Sequence, residues 1–264
     1  MFAYFGHDNC PLYATTVGYG PTVVLMHGGG PDHRSVLPLA HRLADAYRVV
    51  VPDIRGYGRS VCTDPAAHRW SRYADDVVAL IDHLGATDAV VGGMGLGSTI
   101  AARALLAHPD RFTAGILISV EDIEDDAAKQ AEIAFLDTFA ATVAAEGIAA
   151  AWSPILPDLA PVIADLVREA IPRSDPASIT AAAAIGHDRS FRDVSELAAI
   201  TVATLVFPGI DQRHPTALAE ELTRMLPKGQ LASSGFTVDI GTADELADAI
   251  APDIRAFLAD VRLS

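Results

Sequence analysis

Lysine is nearly missing from this chain of 264 residues. Lys129 and Lys228 are the only two, and 19 basic side chains in all face 34 acidic ones, for a formal charge of −15. With no polybasic run, the chain does not fit a nucleic-acid binder, which must neutralise phosphates, or a protein held on an anionic membrane surface. Cysteine is as scarce. Cys10 and Cys62 show no CxxC spacing and are too few for a disulfide framework, so both read as free thiols of a reducing compartment. Nowhere do about 18 uncharged apolar residues run together, and the opening MFAYFGHDNCPLY lacks the basic stretch and apolar run of a signal peptide. What is present is an apolar fraction of 50%, enough for a large core and too high for disorder. The expectation is a soluble cytoplasmic protein, monomer or homodimer, whose partner is a small molecule.

Short apolar runs alternate with longer stretches in which apolar residues recur three and four apart, the pattern of an α/β protein with a mainly parallel sheet flanked by helices. Strands are predicted at 22–26, 48–52, 89–91, 113–119, 203–207 and 230–232, and helices at 35–45, 71–84, 96–107, 215–225 and 243–259. Residues 1–20 read as an antiparallel entry into the sheet. The alternation breaks at 121–199, where Ala-rich helical patterns are punctuated by Pro154, Pro157, Pro161, Pro172 and Pro176. The expected organisation is a core of 1–120 and 200–264 with a helical cap or lid inserted at 121–199.

Four signals follow one another in a fixed order. His27-Gly28-Gly29-Gly30 follows the first strong strand, and the DxRGxGxS stretch from Asp53 to Ser60 follows the next. Gly93-Met94-Gly95-Leu96-Gly97 joins a strand to a helix, and Phe207-Pro208-Gly209-Ile210-Asp211 ends a late strand. In order and spacing this resembles the α/β-hydrolase superfamily over nearly the whole chain, with the helical insertion where that family carries its cap. The resemblance implies a nucleophile elbow of the form GxSxG. Here the nucleophile position is Gly95, and shifting the frame by one puts Met94 there. The family's histidine follows the last strand, yet no histidine occurs after His214. The resemblance still assigns Asp211 to the triad acid and the N–H groups of Gly28 or Gly29 and of Leu96 to an oxyanion hole.

Candidate acid–base groups are therefore sought among the histidines near the expected pocket mouth: His27, His33, His187 and His214. His214, three residues after Asp211, either pairs with it or is a solvated first-turn residue of the following helix. In Asp32-His33-Arg34-Ser35, Asp32 either contacts substrate or caps the helix, and His33 either serves the site or does not. His187, in a polar cluster with Asp188, either descends toward the site or lies in a solvated hinge, while His27 is expected to fix loop geometry beside the oxyanion hole. Trp152 is a pocket wall or core, and the acids Glu121, Asp122, Glu124, Asp125 and Asp126 are mostly a solvated run from which one could serve the site. Arg55 is expected to pair with a carboxylate, and Ser98 to face packing. No HxH or HxxxH spacing supports a metal, and the Gly-rich turn lacks the acid of a dinucleotide fingerprint, so neither metal nor cofactor is expected.

Three functional expectations follow. The first is an enzyme that polarises a small, partly apolar carbonyl compound and uses a histidine with Asp211, without a serine nucleophile, for ester, lactone or thioester hydrolysis or for lyase or cyclase chemistry. The second is a non-catalytic receptor that keeps the pocket. The third is a serine hydrolase in which Gly95 is an engineered replacement.

Overall fold

The computed structural model describes the chain except positions 122, 124, 212, 238 and 264, and only the backbone at 262 and 263. Two of the acidic candidates, Asp122 and Glu124, thus lie outside the described residues. The strands are β1 (Phe2–Phe5), β2 (Pro11–Val17), β3 (Thr22–Met26), β4 (Arg48–Pro52), β5 (Ala89–Met94), β6 (Phe112–Ile118), β7 (Ala203–Phe207) and β8 (Gly229–Leu231). They form one sheet of eight strands in the order β1-β2-β4-β3-β5-β6-β7-β8. β1, β2 and β4 pair antiparallel, and from β4 to β8 every neighbour is parallel.

Helices cover both faces, because alternate residues of each central strand point to opposite sides and both sets are apolar. Val23, Leu25, Val49 and Val51 pack under α1 (Leu37–Leu43) and α9 (Ala243–Leu263). Val24, Met26, Val50 and Val91 pack under α2 (Trp70–His83), α3 (Leu96–Ala107) and α8 (Thr216–Met225). β5 runs three residues beyond its predicted end, through Gly92 and Gly93. Glycine has a poor strand propensity, but a Cβ on Gly92 would stand 2.6 Å from the Ile116 carbonyl, so the close approach to β6 needs it.

Between β6 and β7 the described residues form α4 (Asp126–Glu146), α5 (Ile148–Trp152), α6 (Pro161–Ala170), α7 (Pro176–Ala182) and several 3-10 turns. Proline stands in the first turn of α6 and α7, where its missing N–H costs nothing. These helices lie over the carboxyl ends of β3, β5 and β6, the edge at which an open parallel sheet binds ligands. No described helix is long and apolar enough to cross a membrane.

Candidate active site

A cavity of about 240 Å3 lies between that sheet edge and the helical layer. Phe135, Leu136, Phe139, Trp152, Ile163 and Ile179 supply apolar walls, and Ser119, Glu121, Glu132, Asp211, Arg213 and His214 gather at one end. Gly28, Gly29, Gly95 and Leu96 line the wall on the sheet side.

The strand-to-helix turn has the tight backbone expected of the elbow, with Gly95 at its tip. Gly95 has φ 49° and ψ −118°, a left-handed conformation that glycine adopts at no steric cost, and its N–H donates to the Ile118 carbonyl at 2.9 Å. The flanking glycines are sterically required. A Cβ on Gly93 would meet Gly97 at 2.5 Å, and one on Gly97 would meet the His27 carbonyl at 2.6 Å. Position 95 is different: a Cβ there has His214 Nε2 at 3.4 Å and Glu121 Oε1 and the Gly28 Cα at 3.9 Å, so a side chain has room. Leu96 opens α3, so its N–H has no intrahelical acceptor, and it lines the cavity at a helix N-terminus, which favours negative charge. Ser98 is fully buried and donates its hydroxyl to the Gly95 carbonyl at 2.8 Å, which leaves it no role as a nucleophile.

His214 joins Asp211 and points at the elbow. Its Nδ1 lies 2.8 and 3.0 Å from the two Asp211 oxygens, and its Nε2 is 3.1 Å from Glu121 Oε2. Asp211 Oδ1 also accepts the backbone N–H groups of Arg213 and His214, so the three-residue spacing closes into a tight turn. Burial opposes a charge on His214, but the bonds to Asp211 and Glu121 outweigh it and raise its pKa to about 9. Burial likewise opposes ionisation of Glu121, but the charges of Arg213 and His214 prevail and hold its carboxyl well below the usual range. At neutral pH the pair is imidazolium and carboxylate. Arg213 Nε donates to Glu121 Oε2 at 2.5 Å and its guanidinium to Glu132 Oε1 at 2.7 Å, and Lys129 closes the chain on Glu132 Oε2 at 2.6 Å.

The structure moves several sequence candidates away from the cavity. His33, a catalytic candidate, is buried with both its backbone N–H and its Nδ1 on Asp53 Oδ1, at 2.9 and 2.7 Å, and it does not line the cavity. His187, also a catalytic candidate, is half exposed and bonds Asp137 at 2.7 Å on the outer side of α4. Asp32, a candidate substrate contact, caps the 3-10 turn through the Arg34 N–H at 3.0 Å and pairs with Arg173 Nε at 2.8 Å, so both its oxygens are taken. His27, placed with the substrate-binding group, is fully buried. Its Nε2 accepts the Ile54 N–H at 3.0 Å, so the proton is on Nδ1 and is donated to the Gly28 carbonyl at 2.7 Å. Burial lowers its pKa, and it holds the glycine loop to the Ile54 backbone without lining the cavity. Asp188 accepts the Trp70 N–H at the start of α2.

Trp152 does line the cavity: its indole lies over Gly30, where a Cβ would meet it at 2.7 Å, and it meets Phe139 edge-on at 5.3 Å. Arg55 is buried between Asp76 at 2.7 Å and Asp8 at 2.9 Å. Arg213, Glu132 and Ser119 are site residues that the sequence motifs do not single out, and Glu121 is one acid of a run in the sequence. The signal that could have found Arg213 is its position inside the Asp211–His214 turn. Ser119, at φ 53° on the cavity wall, carries no signal a sequence could give.

The comparisons agree with this architecture. An epoxide hydrolase from Caballeronia sordidicola is 36% identical over 111 residues, 41% of this chain. The chain spans only about a third of such curated relatives, 34% in that case. A thermophilic esterase from Thermogutta terrifontis superposes with a TM-score of 0.81 at 25% identity, covering 98% of both chains. An enol-lactonase from Burkholderia xenovorans LB400 superposes at 0.80 and 21% identity over 98% of this chain and 100% of its own, a likeness of fold alone. The family model described as alpha/beta hydrolase fold matches residues 21–152, half of the chain. With that match, and with the elbow and sheet order described above, the chain belongs to the alpha/beta hydrolase fold family.

Proposed function

We propose that the protein hydrolyses a small, largely apolar ester, lactone or thioester by direct attack of water, with no covalent bond to the elbow residue. The observation that carries this is His214 Nε2 lying 3.4 Å from the Cβ position of Gly95 while Asp211 holds Nδ1. The substrate carbonyl oxygen sits on the N–H groups of Leu96 and of Gly28 or Gly29, which favour the oxyanion as it forms. Neutral His214 takes a proton from a water placed over Gly95, Asp211 stabilises the imidazolium, and the same proton then passes to the departing alkoxide or thiolate. Proton abstraction from carbon by the same histidine is the lyase or cyclase variant of this chemistry. The helices from α4 to α7 act as the lid that keeps the cavity apolar. The names of the relatives, an epoxide hydrolase and an esterase among them, support hydrolysis as the reaction class.

Because His214 is held as imidazolium until about pH 9, kcat/KM for p-nitrophenyl butyrate is expected to rise with pH and level off near that value. Product release should be linear from the first turnover. His214→Ala should lower the plateau by about a hundredfold, within the range of general-base catalysis. A burst with an acyl-enzyme visible by mass spectrometry overturns the mechanism. A second reading, a receptor without turnover, is favoured by one observation: both ring nitrogens of His214 are engaged by carboxylates. Absence of hydrolysis at pH 9 to 10 together with retained ligand binding would select it.

A further inference from the structure

One carboxylate oxygen at the elbow has no donor among the described residues. Glu121 is 7% exposed, and its backbone is pinned to the first turn of α3. The Thr99 hydroxyl donates to its carbonyl at 2.9 Å and accepts its N–H at 3.4 Å. Its Oε2 takes both cations, Arg213 at 2.5 Å and His214 at 3.1 Å. Its Oε1 accepts no hydrogen bond from the described residues and faces the elbow, 3.9 Å from the Cβ position of Gly95. Glu121 lines the cavity, so a bound group can reach this oxygen, and a charged acceptor gains more from a donor than a neutral one does.

We propose that the ligand supplies the missing donor: the substrate is a carbonyl compound bearing a neutral hydroxyl within one or two bonds of the carbonyl carbon, with Glu121 Oε1 as its acceptor. The assignment rests on the carbonyl-binding reading above and narrows it. His214, Glu121 and Gly28 surround a single point, the Cβ position of Gly95, at 3.4, 3.9 and 3.9 Å. A carbonyl carbon bound over the elbow therefore has its neighbouring substituents within reach of Oε1. Charge selects a neutral group. Among the described residues, Glu121, Glu132 and Asp211 are matched by Arg213, His214 and Lys129 through the pairings already described. A ligand carboxylate at Oε1 would be repelled, and an ammonium would add a charge to a balanced cluster. Ser119, two residues before Glu121, holds φ 53° on the same wall, a strained conformation for a residue with a side chain and one that concentrates at ligand sites. The remaining walls, Phe135, Leu136 and Trp152 among them, suit an alkyl or aryl body.

Ketones test this without turnover, since they have no leaving group. Binding of octan-2-one, 3-hydroxyoctan-2-one and 3-methoxyoctan-2-one is followed by tryptophan fluorescence, with calorimetry as a check. The hydroxyketone is expected to bind at least about tenfold more tightly than the other two, the gain of a hydrogen bond to a charged acceptor. In Glu121→Gln the amide oxygen turns to Arg213 and the amide N–H faces the elbow, so the advantage over the methoxyketone should disappear; near-ultraviolet circular dichroism confirms the fold. The wild-type series decides the matter even if that variant does not fold. Affinities within twofold of one another, or no binding of any of the three, overturn the assignment. Selective binding of the hydroxyketone without hydrolysis of any ester sinks the catalytic reading and leaves this one standing. Hydrolysis without hydroxyl preference does the reverse.

Discussion

Replacing Gly95 with serine probes the elbow and the charge state of His214 together. The Cβ has room, with His214 Nε2 the nearest atom at 3.4 Å, so a hydroxyl one bond further out comes within catalytic hydrogen-bond reach, about 2.6 to 3.2 Å. A serine at φ 49° is strained, at a cost on the order of 1 to 3 kcal/mol of stability that the scaffold must absorb. Geometry alone would make this variant a serine hydrolase. Electrostatics delay it: with His214 titrating at about 9, about one molecule in a hundred carries the neutral base at pH 7. Stopped-flow mixing with p-nitrophenyl butyrate should show an acylation burst whose rate constant climbs about tenfold per pH unit between pH 7 and 8.5 and levels off above 9. Adding Glu121→Gln removes one of the two carboxylates on His214 and should move the rise to lower pH. A burst as fast at pH 7 as at pH 10 refutes the imidazolium assignment. A folded variant that forms no acyl adduct at any pH refutes the placement of His214 over the elbow.

The same histidine contributes to stability. Its pKa is raised on folding, so its contribution is complete below the unfolded value of about 6.5 and is lost as pH rises through about 9; the difference corresponds to about 3 kcal/mol. Urea titrations across that window should show this loss in the wild type and not in His214→Gln, and equal slopes in the two would contradict it. Gly97→Ala should destabilise by about 1 to 3 kcal/mol or more, because the methyl group meets the His27 carbonyl at 2.6 Å and Met26 Cβ at 2.7 Å. A melting temperature unchanged by that substitution would mean that the elbow is less tightly packed than the glycines imply.

Most of the scaffold is legible along the chain. The runs at Thr22–Met26, Arg48–Pro52 and Ala203–Phe207 are β3, β4 and β7 as predicted, because apolar residues on both faces leave no other way to bury them. The end of β5 is not legible, since Gly92 and Gly93 read as a turn until the approach of Ile116 and Gly97 is known. The pairing of Asp211 with His214 is local, three residues apart, and so within reach of sequence reasoning. The fates of His33 and His187 depend on Asp53 and Asp137, which lie 20 and 50 residues away.

The sequence by itself determined the alternation of strands and helices, the glycine-framed turn and the absence of a side chain at Gly95, because these follow from composition and spacing along one segment. The tertiary structure decided what the remaining groups are. Glu121 comes from the loop after β6, Glu132 and Lys129 from α4, and Arg213 and His214 from the turn before α8. Only their convergence at one end of a largely apolar cavity makes an imidazolium of His214 and leaves Glu121 Oε1 facing the elbow, since charge state and hydrogen-bond partners are set by distance in space.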